Sequence, residues 1–190
     1  RFSSPTQFMA QRKSTVDEAY PGDIVGLPDT GGVFKIGDTL TEGEQLHFRG
    51  LPSFSPELFK YIENDDPMKA KQFQKGLEQL MNEGVAQLFI NQFNNRKIVG
   101  TVGQLQFEVI QYRLEHEYNA KCRWEPVHLH KACWIEAENA EALENFKKRK
   151  YQYMAKDTEG RDVFLADSGY VLSMAQQDFE DIKFHFTSEF

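Results

Sequence analysis

Four consecutive cations, Lys147, Lys148, Arg149 and Lys150, form the most concentrated charge in the sequence, and Tyr151 follows them directly. Lysine and arginine neutralise phosphates, so the run is a candidate contact with RNA. The alternative is a solvated helix end, because cations also suit the negative end of a helix dipole. The chain carries a net charge of −7, so the sequence predicts a local basic patch within an acidic body.

A second and weaker group of cations, Arg96 and Lys97, follows Asn94 and Asn95. Two asparagines between apolar runs predict a tight hairpin turn, because asparagine tolerates positive φ. Both cations would then lie at the hairpin tip. They would either contact RNA there or only keep the tip soluble.

Several motifs for nucleotide binding and catalysis do not occur in these 190 residues. There is no Gly-x-x-x-x-Gly-Lys-Ser/Thr loop to hold a nucleotide phosphate, and residues 100–103 are better explained as a strand-to-helix turn. Neither a Gly-x-Ser-x-Gly elbow nor a His-Glu-x-x-His helix occurs. We therefore expect no catalytic residue and no cofactor site in this chain.

His128 and His130 alternate along one predicted strand, with Cys122 and Cys133 close to them in sequence. Zinc accepts these ligand types. The spacing matches no zinc finger or ribbon, and Cys133 does not share the strand parity of His128. We expect packed or surface side chains here, and no metal.

Composition places the chain among folded, reduced proteins. It is 40% hydrophobic, with 16 phenylalanines and two cysteines. So few cysteines are unlike a disulfide-stapled secreted domain, and no apolar run approaches the ~20 residues of a membrane span. The first residue is arginine, and we expect the chain to be a carboxy-terminal piece of a longer cytoplasmic protein.

Residues 1–49 predict only β-structure. Turn chemistry at 20–23 precedes a short apolar strand at 24–27, and an alternating strand follows at 33–36. These strands are too few to close a barrel, so we interpret them as the end of one. Two prolines and two serines within residues 50–56 predict the boundary to the next domain.

Residues 56–137 predict a β-α-β-β-α-β order, which is a ferredoxin-like split β-α-β core. Asp65 and Asp66 before Pro67 begin the first helix, Gly84 ends it, and Gly103 begins the second. The predicted buried stripes are Ala70, Phe73, Leu77, Leu80 and Met81 in the first helix, and Phe107, Ile110, Leu114 and Tyr118, widened by Val109, in the second. The predicted strands cover 57–62, 85–93, 97–102 and 121–130.

Residues 138–190 predict an α/β extension, and no internal repeat is visible in the sequence. The fold class is therefore α+β. It comprises the end of a β-barrel domain at 1–49 and a further domain at 50–190, which contains the core and its extension.

This order, the end of a β-barrel followed by a split β-α-β domain, is similar to the order of domains in the middle of translational GTPases. Residues 18–27 (EAYPGDIVGL) and 34–40 (FKIGDTL) resemble the end of the second domain of that superfamily. Residues 54–59 (FSPELF) and 105–109 (LQFEV) resemble the peptide chain release factor 3 family in particular. Elongation factor G has a Glu-Leu-His pattern where residues 104–106 have Gln-Leu-Gln, which favours the release-factor branch.

The resemblance implies a part of a translation termination factor. In this family an amino-terminal domain binds GTP and GDP, and the factor ejects a class 1 release factor from the ribosome. For this chain it implies ribosome docking without a nucleotide site. The implied partners are ribosomal RNA and proteins, the amino-terminal GTPase domain of the same chain and, indirectly, a class 1 release factor, with no membrane.

Two alternatives stay open at this point. One is a piece of another translational GTPase, such as an elongation or ribosome-protection factor. The other is a stand-alone ferredoxin-like binding domain, against which the β-segment at 1–49 argues.

Overall fold

The computed structural model describes residues 5–9, 12–29, 31, 33–34, 38–46 and 55–188. Backbone contacts divide the chain into an N-terminal unit, residues 1–44, and a C-terminal unit, residues 45–190. Residues 35–36 of the predicted strand at 33–36 and residues 50–54 of the predicted boundary at 50–56 lie outside the described residues. Val33 and Phe34 are described, and they are exposed and belong to no strand.

The N-terminal unit contains an antiparallel three-stranded sheet in the order β2-β1-β3. Its strands are β1 (Thr6–Met9), β2 (Arg12–Thr15) and β3 (Val25–Gly26). Before β3 the Asp23 N–H donates to Tyr20 O, and the Tyr20 N–H donates to the Asp23 carboxylate, both at 2.9 Å. Gly22 takes a φ of 99°, which confirms the predicted turn.

The described part of the C-terminal unit contains eight strands and four α-helices. The strands are β4 (Leu58–Asn64), β5 (Gln87–Asn91), β6 (Lys97–Thr101), β7 (Cys122–Pro126), β8 (Lys131–Glu136), β9 (Met154–Lys156), β10 (Asp162–Ala166) and β11 (Lys183–His185). The helices are α1 (Ala70–Asn82), α2 (Gln104–Glu117), α3 (Ala140–Arg149) and α4 (Gly169–Asp178).

All eight strands form one antiparallel sheet in the order β11-β8-β10-β9-β5-β6-β4-β7. We call β4-α1-β5-β6-α2-β7 the first repeat; its spatial order is that of a split β-α-β fold, which confirms the predicted ferredoxin-like core. The elements β8-α3-β9-β10-α4-β11 have the same order in sequence and in space, and we call them the second repeat. The predicted extension, 138–190, together with β8, which was predicted to belong to the core, is thus a second copy of the same topology, which the sequence did not reveal.

Helix α1 begins and ends as its sequence predicts. The Asp66 carboxylate accepts from the Met68 N–H at 2.9 Å and caps a 3-10 turn at Pro67–Lys69, which leads into the helix. Gly84 follows the helix with a φ of 72°. The predicted stripe is buried except for Ala70, which is exposed because it lies in the first turn, before the helix meets the sheet.

Helix α2 packs through Phe107, Ile110 and Leu114, as predicted. Val109 was expected to widen this stripe, but it is 40% exposed and lies on the opposite side of the helix. The Gln106 side chain accepts from the N–H groups of Val102 and Gly103 at 2.8 and 3.0 Å, so it caps the helix that Gly103 begins.

The fourth predicted strand, 121–130, is shorter than expected. β7 ends at Pro126, and residues 127–130 instead connect the first repeat to the second. Proline has no N–H with which to continue a strand ladder. The connection is not free in solvent, since Val127 and Leu129 pack against a buried apolar cluster.

That cluster lies on the face of the sheet that carries no helices. Its buried members are Phe59, Phe89 and Ile98 from the first repeat and Ala132, Trp134, Ala155, Val163 and Leu165 from the second. The rings of Phe89 and Trp134 have centroids 5.9 Å apart. Strands β5 and β8 are separated by three strand spacings, about 14 Å in a flat sheet. The sheet must therefore curl until the helix-free faces of the two repeats meet.

Asp157 anchors the hairpin between β9 and β10 to this cluster. Its Oδ2 accepts from Trp134 Nε1 at 2.9 Å and from Arg161 Nε at 2.7 Å, and its Oδ1 accepts two backbone N–H groups, from residues 159 and 161. Burial alone would raise the pKa of Asp157. The hydrogen bonds from Trp134 and Arg161 outweigh burial, so the pKa is lowered.

The packing of α2 predicts a large loss of stability from a substitution at one position of the helix and a small loss at another. Leu114→Ala should lower the free energy of unfolding by ~2–5 kcal/mol, because the side chain is fully buried. Leu77→Ala in α1 should cost a similar amount. Val109→Ala is the matched control and should cost less than ~0.5 kcal/mol. Urea unfolding measures all three, and equal losses at 109 and 114 would show that α2 is rotated.

The Asp157 hydrogen bonds predict a pH-dependent stability. A carboxyl group whose pKa is lowered by folding stabilises the fold above its unfolded pKa of about 3.9, and this contribution is lost as pH falls through the folded pKa. Asp157→Asn should therefore cost about 2 kcal/mol at pH 7, and the difference from the parent should shrink below about pH 4. Glu159→Gln, in the same hairpin, is the control. A difference for Asp157→Asn that does not vary with pH in urea unfolding would contradict the assignment.

Candidate nucleic-acid interface

The basic run lies at the carboxyl end of α3, and the residues of the helix itself explain this position. The Asn139 side chain accepts from the Glu141 N–H at 2.8 Å and begins the helix. Phe146 is fully buried and fixes which side of the helix faces the sheet. The last turn contains Lys147, Lys148 and Arg149, where positive charge is favourable against the helix dipole.

The four cations of the run have different surroundings. Lys147 Nζ lies 2.8 Å from a Glu144 oxygen and 3.3 Å from an Asp162 oxygen, so its charge is paired. Hydrogen bonding to Glu144, opposed by burial, leaves the pKa of Lys147 raised. Lys148 and Arg149 are exposed, and Lys150 is half-buried.

Arg149 and Lys150 lie beside an aromatic ring instead of a carboxylate. Arg149 Cζ lies 5.0 Å from the centroid of Phe179, and Lys150 Nζ lies 5.8 Å from it. Among the described residues, no salt bridge involves Lys148, Arg149 or Lys150. These three side chains therefore keep their positive charge available to an external anion, and we call them the basic patch.

The structure brings the β5–β6 hairpin tip into contact with Tyr151, the residue that directly follows the basic patch, although some 50 residues separate them in sequence. The Tyr151 hydroxyl donates to Gln92 O at 2.8 Å, and the Gln92 N–H donates to Met154 O at 2.8 Å. Phe93 and Tyr151 meet edge to face, with centroids 5.9 Å apart. Phe93 was not among the predicted site residues, although its position directly before the Asn94-Asn95 turn is visible in the sequence.

Arg96 and Lys97 lie on the hairpin as predicted, but neither points freely into solvent. Arg96 Cζ lies 3.7 Å above the Tyr61 ring, and its guanidinium pairs with Glu63 at 2.7 Å and with Glu125. Lys97 Nζ donates to the Gln74 side chain at 2.6 Å on the helix-covered side of the sheet. The two cations thus face opposite sides of the first repeat.

Carboxylates balance the charge around Arg96. Hydrogen bonding, first to Glu125 and then to Glu63, raises the pKa of Arg96. Hydrogen bonds from Arg123 and Arg96 lower the pKa of Glu63. Arg123 also lies 2.8 Å from Glu63 and 3.9 Å from Asp65. Two arginines face three carboxylates, so this surface adds no net positive charge to the basic patch.

The cysteines and histidines do not assemble into a site. Cys122 belongs to the core beneath α1 and α2, and Cys133 to the core beneath α3 and α4. Burial raises the pKa of each thiol to about 12, so both stay protonated near neutral pH. His128 and His130 are exposed in the connection between the repeats. In the part of the chain that is described, no group of three or more His, Cys, Asp or Glu side chains could hold a metal ion.

A shallow cleft of about 290 Å³ opens on the helix-free side, where the repeats adjoin. The residues that line this cleft include Tyr61, Asn91, His128 and Asp167. The four α-helices that cover the other face of the sheet are short, at 10 to 14 residues each. Within the described residues, none is long and apolar enough to cross a bilayer.

Two family models match the chain. Elongation factor G domain 2 matches residues 1–43, and class II release factor RF3, C-terminal domain, matches residues 48–176. This pair of domains defines the class of protein as a translation factor of the translational GTPase superfamily. The second match extends over more than half of the chain, so the chain belongs to the family of class II release factor RF3 C-terminal domains. The resemblance found in the sequence is confirmed.

A solved structure shares the fold. The crystal structure of a protein from Thermus thermophilus superposes with a TM-score of 0.52 over 72% of this chain, at 16% sequence identity. The match covers 22% of that protein, so this chain spans about a fifth of its length. At this identity the similarity bears on the fold alone.

Proposed function

We propose that this chain docks a translation termination factor onto the ribosome, and that the basic patch contacts ribosomal RNA. The observation that carries the RNA contact is the set of three cations, Lys148, Arg149 and Lys150, which have no carboxylate partner within the described part of an otherwise acidic chain. Phosphate neutralisation and counterion release would supply the binding free energy without reading any base.

The family supports the wider role. A class II release factor acts in translation termination, and we propose that the protein containing this chain promotes the GTP-dependent release of class 1 release factors. GTP and GDP would bind an amino-terminal GTPase domain, and the process would take place on ribosomes in the cytoplasm. In this scheme the present chain is the docking part and is not itself an enzyme.

Lys147, Arg96 and Lys97 were predicted together with the basic patch, and their surroundings suggest lesser roles in docking. The ammonium group of Lys147 is paired with Glu144 and Asp162. Arg96 would have to give up its carboxylates, and Lys97 its hydrogen bond to Gln74, before either could bind a phosphate. Breaking such contacts offsets part of any gain, so we assign most of the RNA contact to the basic patch.

The proposal predicts a change in the salt dependence of ribosome binding. The triple variant Lys148→Ala/Arg149→Ala/Lys150→Ala should bind ribosomes more weakly than the parent. Each lost phosphate contact contributes roughly 0.7–0.9 to the slope of log K against log salt, so the slope should fall by about 2. Sedimentation with purified ribosomes over a series of salt concentrations measures both quantities.

The matched control removes three exposed cations elsewhere. Lys71, Lys75 and Lys121 are exposed, and replacing them with alanine changes the net charge by the same amount. This control should keep nearly the full slope if the contact is local. Thermal unfolding of both variants must be compared, because lysine and arginine stems can also cover apolar surface. A folded basic-patch variant with unchanged affinity and slope would disprove the RNA contact.

The absence of a phosphate loop predicts that this chain does not bind GTP. Titration calorimetry with GTP and magnesium should give no heat of binding, because the sequence lacks the Gly-x-x-x-x-Gly-Lys-Ser/Thr loop whose backbone N–H groups and lysine hold nucleotide phosphates. ATP serves as the comparison ligand. Micromolar binding of GTP would contradict the division of roles between this chain and a GTPase domain.

A further inference from the structure

Two aromatic rings, one of which directly follows the basic patch in sequence, are exposed on the surface. Phe93 is 63% exposed and Tyr151 is 51% exposed. Their rings contact each other edge to face, at a centroid distance of 5.9 Å. Exposed aromatic rings give the folded chain little of the stabilisation that buried ones provide. We call this pair the aromatic platform.

Backbone hydrogen bonds hold Phe93 in place. The Asn91 side chain accepts from the N–H groups of Phe93 and Asn94 at 2.8 and 3.2 Å, and Asn91 itself is buried. The Asn95 N–H donates to Asn91 O at 2.8 Å, and Asn95 takes a φ of 57°. The hairpin tip is therefore a rigid turn, and a ligand that binds Phe93 would not have to order a flexible loop.

Tyr151 is fixed in a similar way from the second repeat. Its hydroxyl donates to Gln92 O, and the Tyr153 N–H donates to Lys150 O, each at 2.8 Å. Tyr151 directly follows Lys150 in sequence, so one ring of the platform adjoins the basic patch and the other ring reaches it through the contact with Tyr151. Tyr153, by contrast, is half-buried and its ring lies 5.7 Å from Phe164. It is not available as a second stacking surface.

Preordered rings next to unpaired cations are the features with which proteins hold single-stranded nucleic acids. The cations follow the phosphates, and the rings stack on the faces of unpaired bases. We propose that the aromatic platform binds an unstacked nucleobase of single-stranded or looped RNA, while the basic patch holds its phosphates. This inference rests on the proposed RNA contact and adds base stacking to it. It also makes Phe93 a ligand-contacting residue.

Base stacking and phosphate contact can be separated with two oligonucleotides. One is a fluorescein-labelled single-stranded RNA of about 10 nucleotides, within the range that such sites cover. The other has the same backbone but lacks bases at its central positions. The 190-residue chain should bind the complete RNA roughly tenfold or more tightly than the abasic one, because each stacked base contributes that much affinity.

Variants at Phe93 then test the ring itself. Phe93→Leu keeps an apolar side chain but removes the planar ring, and should weaken binding of the complete RNA by roughly tenfold. It should leave abasic binding and the salt slope unchanged, since no charge is lost. Phe93→Trp should retain binding. Tyr170→Leu is the matched control, because Tyr170 is a 74% exposed ring on α4.

Several results would overturn the inference. They are equal affinity for the two RNAs, unchanged binding by Phe93→Leu, or equal losses for Phe93→Leu and Tyr170→Leu. If Phe93→Trp loses as much binding as Phe93→Leu, the inference is also overturned. Ring-dependent binding to anionic phospholipid vesicles in place of RNA would overturn it as well. If Phe93→Leu has no effect while the basic-patch variant still lowers the salt slope, base stacking fails and the proposed function stands.

Discussion

The C-terminal unit depends on the mutual burial of two sheet faces. Each repeat covers one face of its four strands with two helices, and its other face carries apolar side chains as well. Those faces meet in the cluster built around Phe89 and Trp134, both of which are almost fully buried. Neither repeat could leave this face in water without exposing several large side chains, at about 25 cal/mol per Å² of apolar surface. The two repeats therefore stabilise each other.

The same interaction positions the candidate site. Pairing of β5 with β9 places the first repeat's hairpin tip against the turn that follows α3, where Tyr151 donates to Gln92 O. The basic patch comes from the second repeat and Phe93 from the first. Neither repeat contains the combined surface by itself. A buried polar contact supports this geometry, since Asp157 satisfies the indole N–H of Trp134 at the centre of the cluster.

Much of the first repeat could be predicted because its signals are local. The Asp66 cap, Gly84, the Asn94-Asn95 turn and Gly103 each specify a backbone conformation within a few residues. The second repeat was missed because topology can recur without recurrence of residues. One signal was available, since residues 132–135 and 163–165 are continuously apolar. A strand of an antiparallel sheet with one wet face would alternate, so continuous runs indicate that both faces are buried.

The candidate site shows the other limit of sequence reasoning. Charge runs are visible in a sequence, but their partners are not. Arg96 was predicted as a free cation, and only the fold reveals that Glu63 and Glu125 face it across neighbouring strands. Phe93 had no periodic pattern to mark it, because exposure of a single ring depends on the whole tertiary structure. The helix dipole offsets part of the positive charge at the end of α3, yet three unpaired cations exceed its half charge.

A ligand held by both Phe93 and the basic patch would contact both repeats at once. Its binding would then also stabilise the interface between them, because ligands that bind only the assembled state favour that state by mass action.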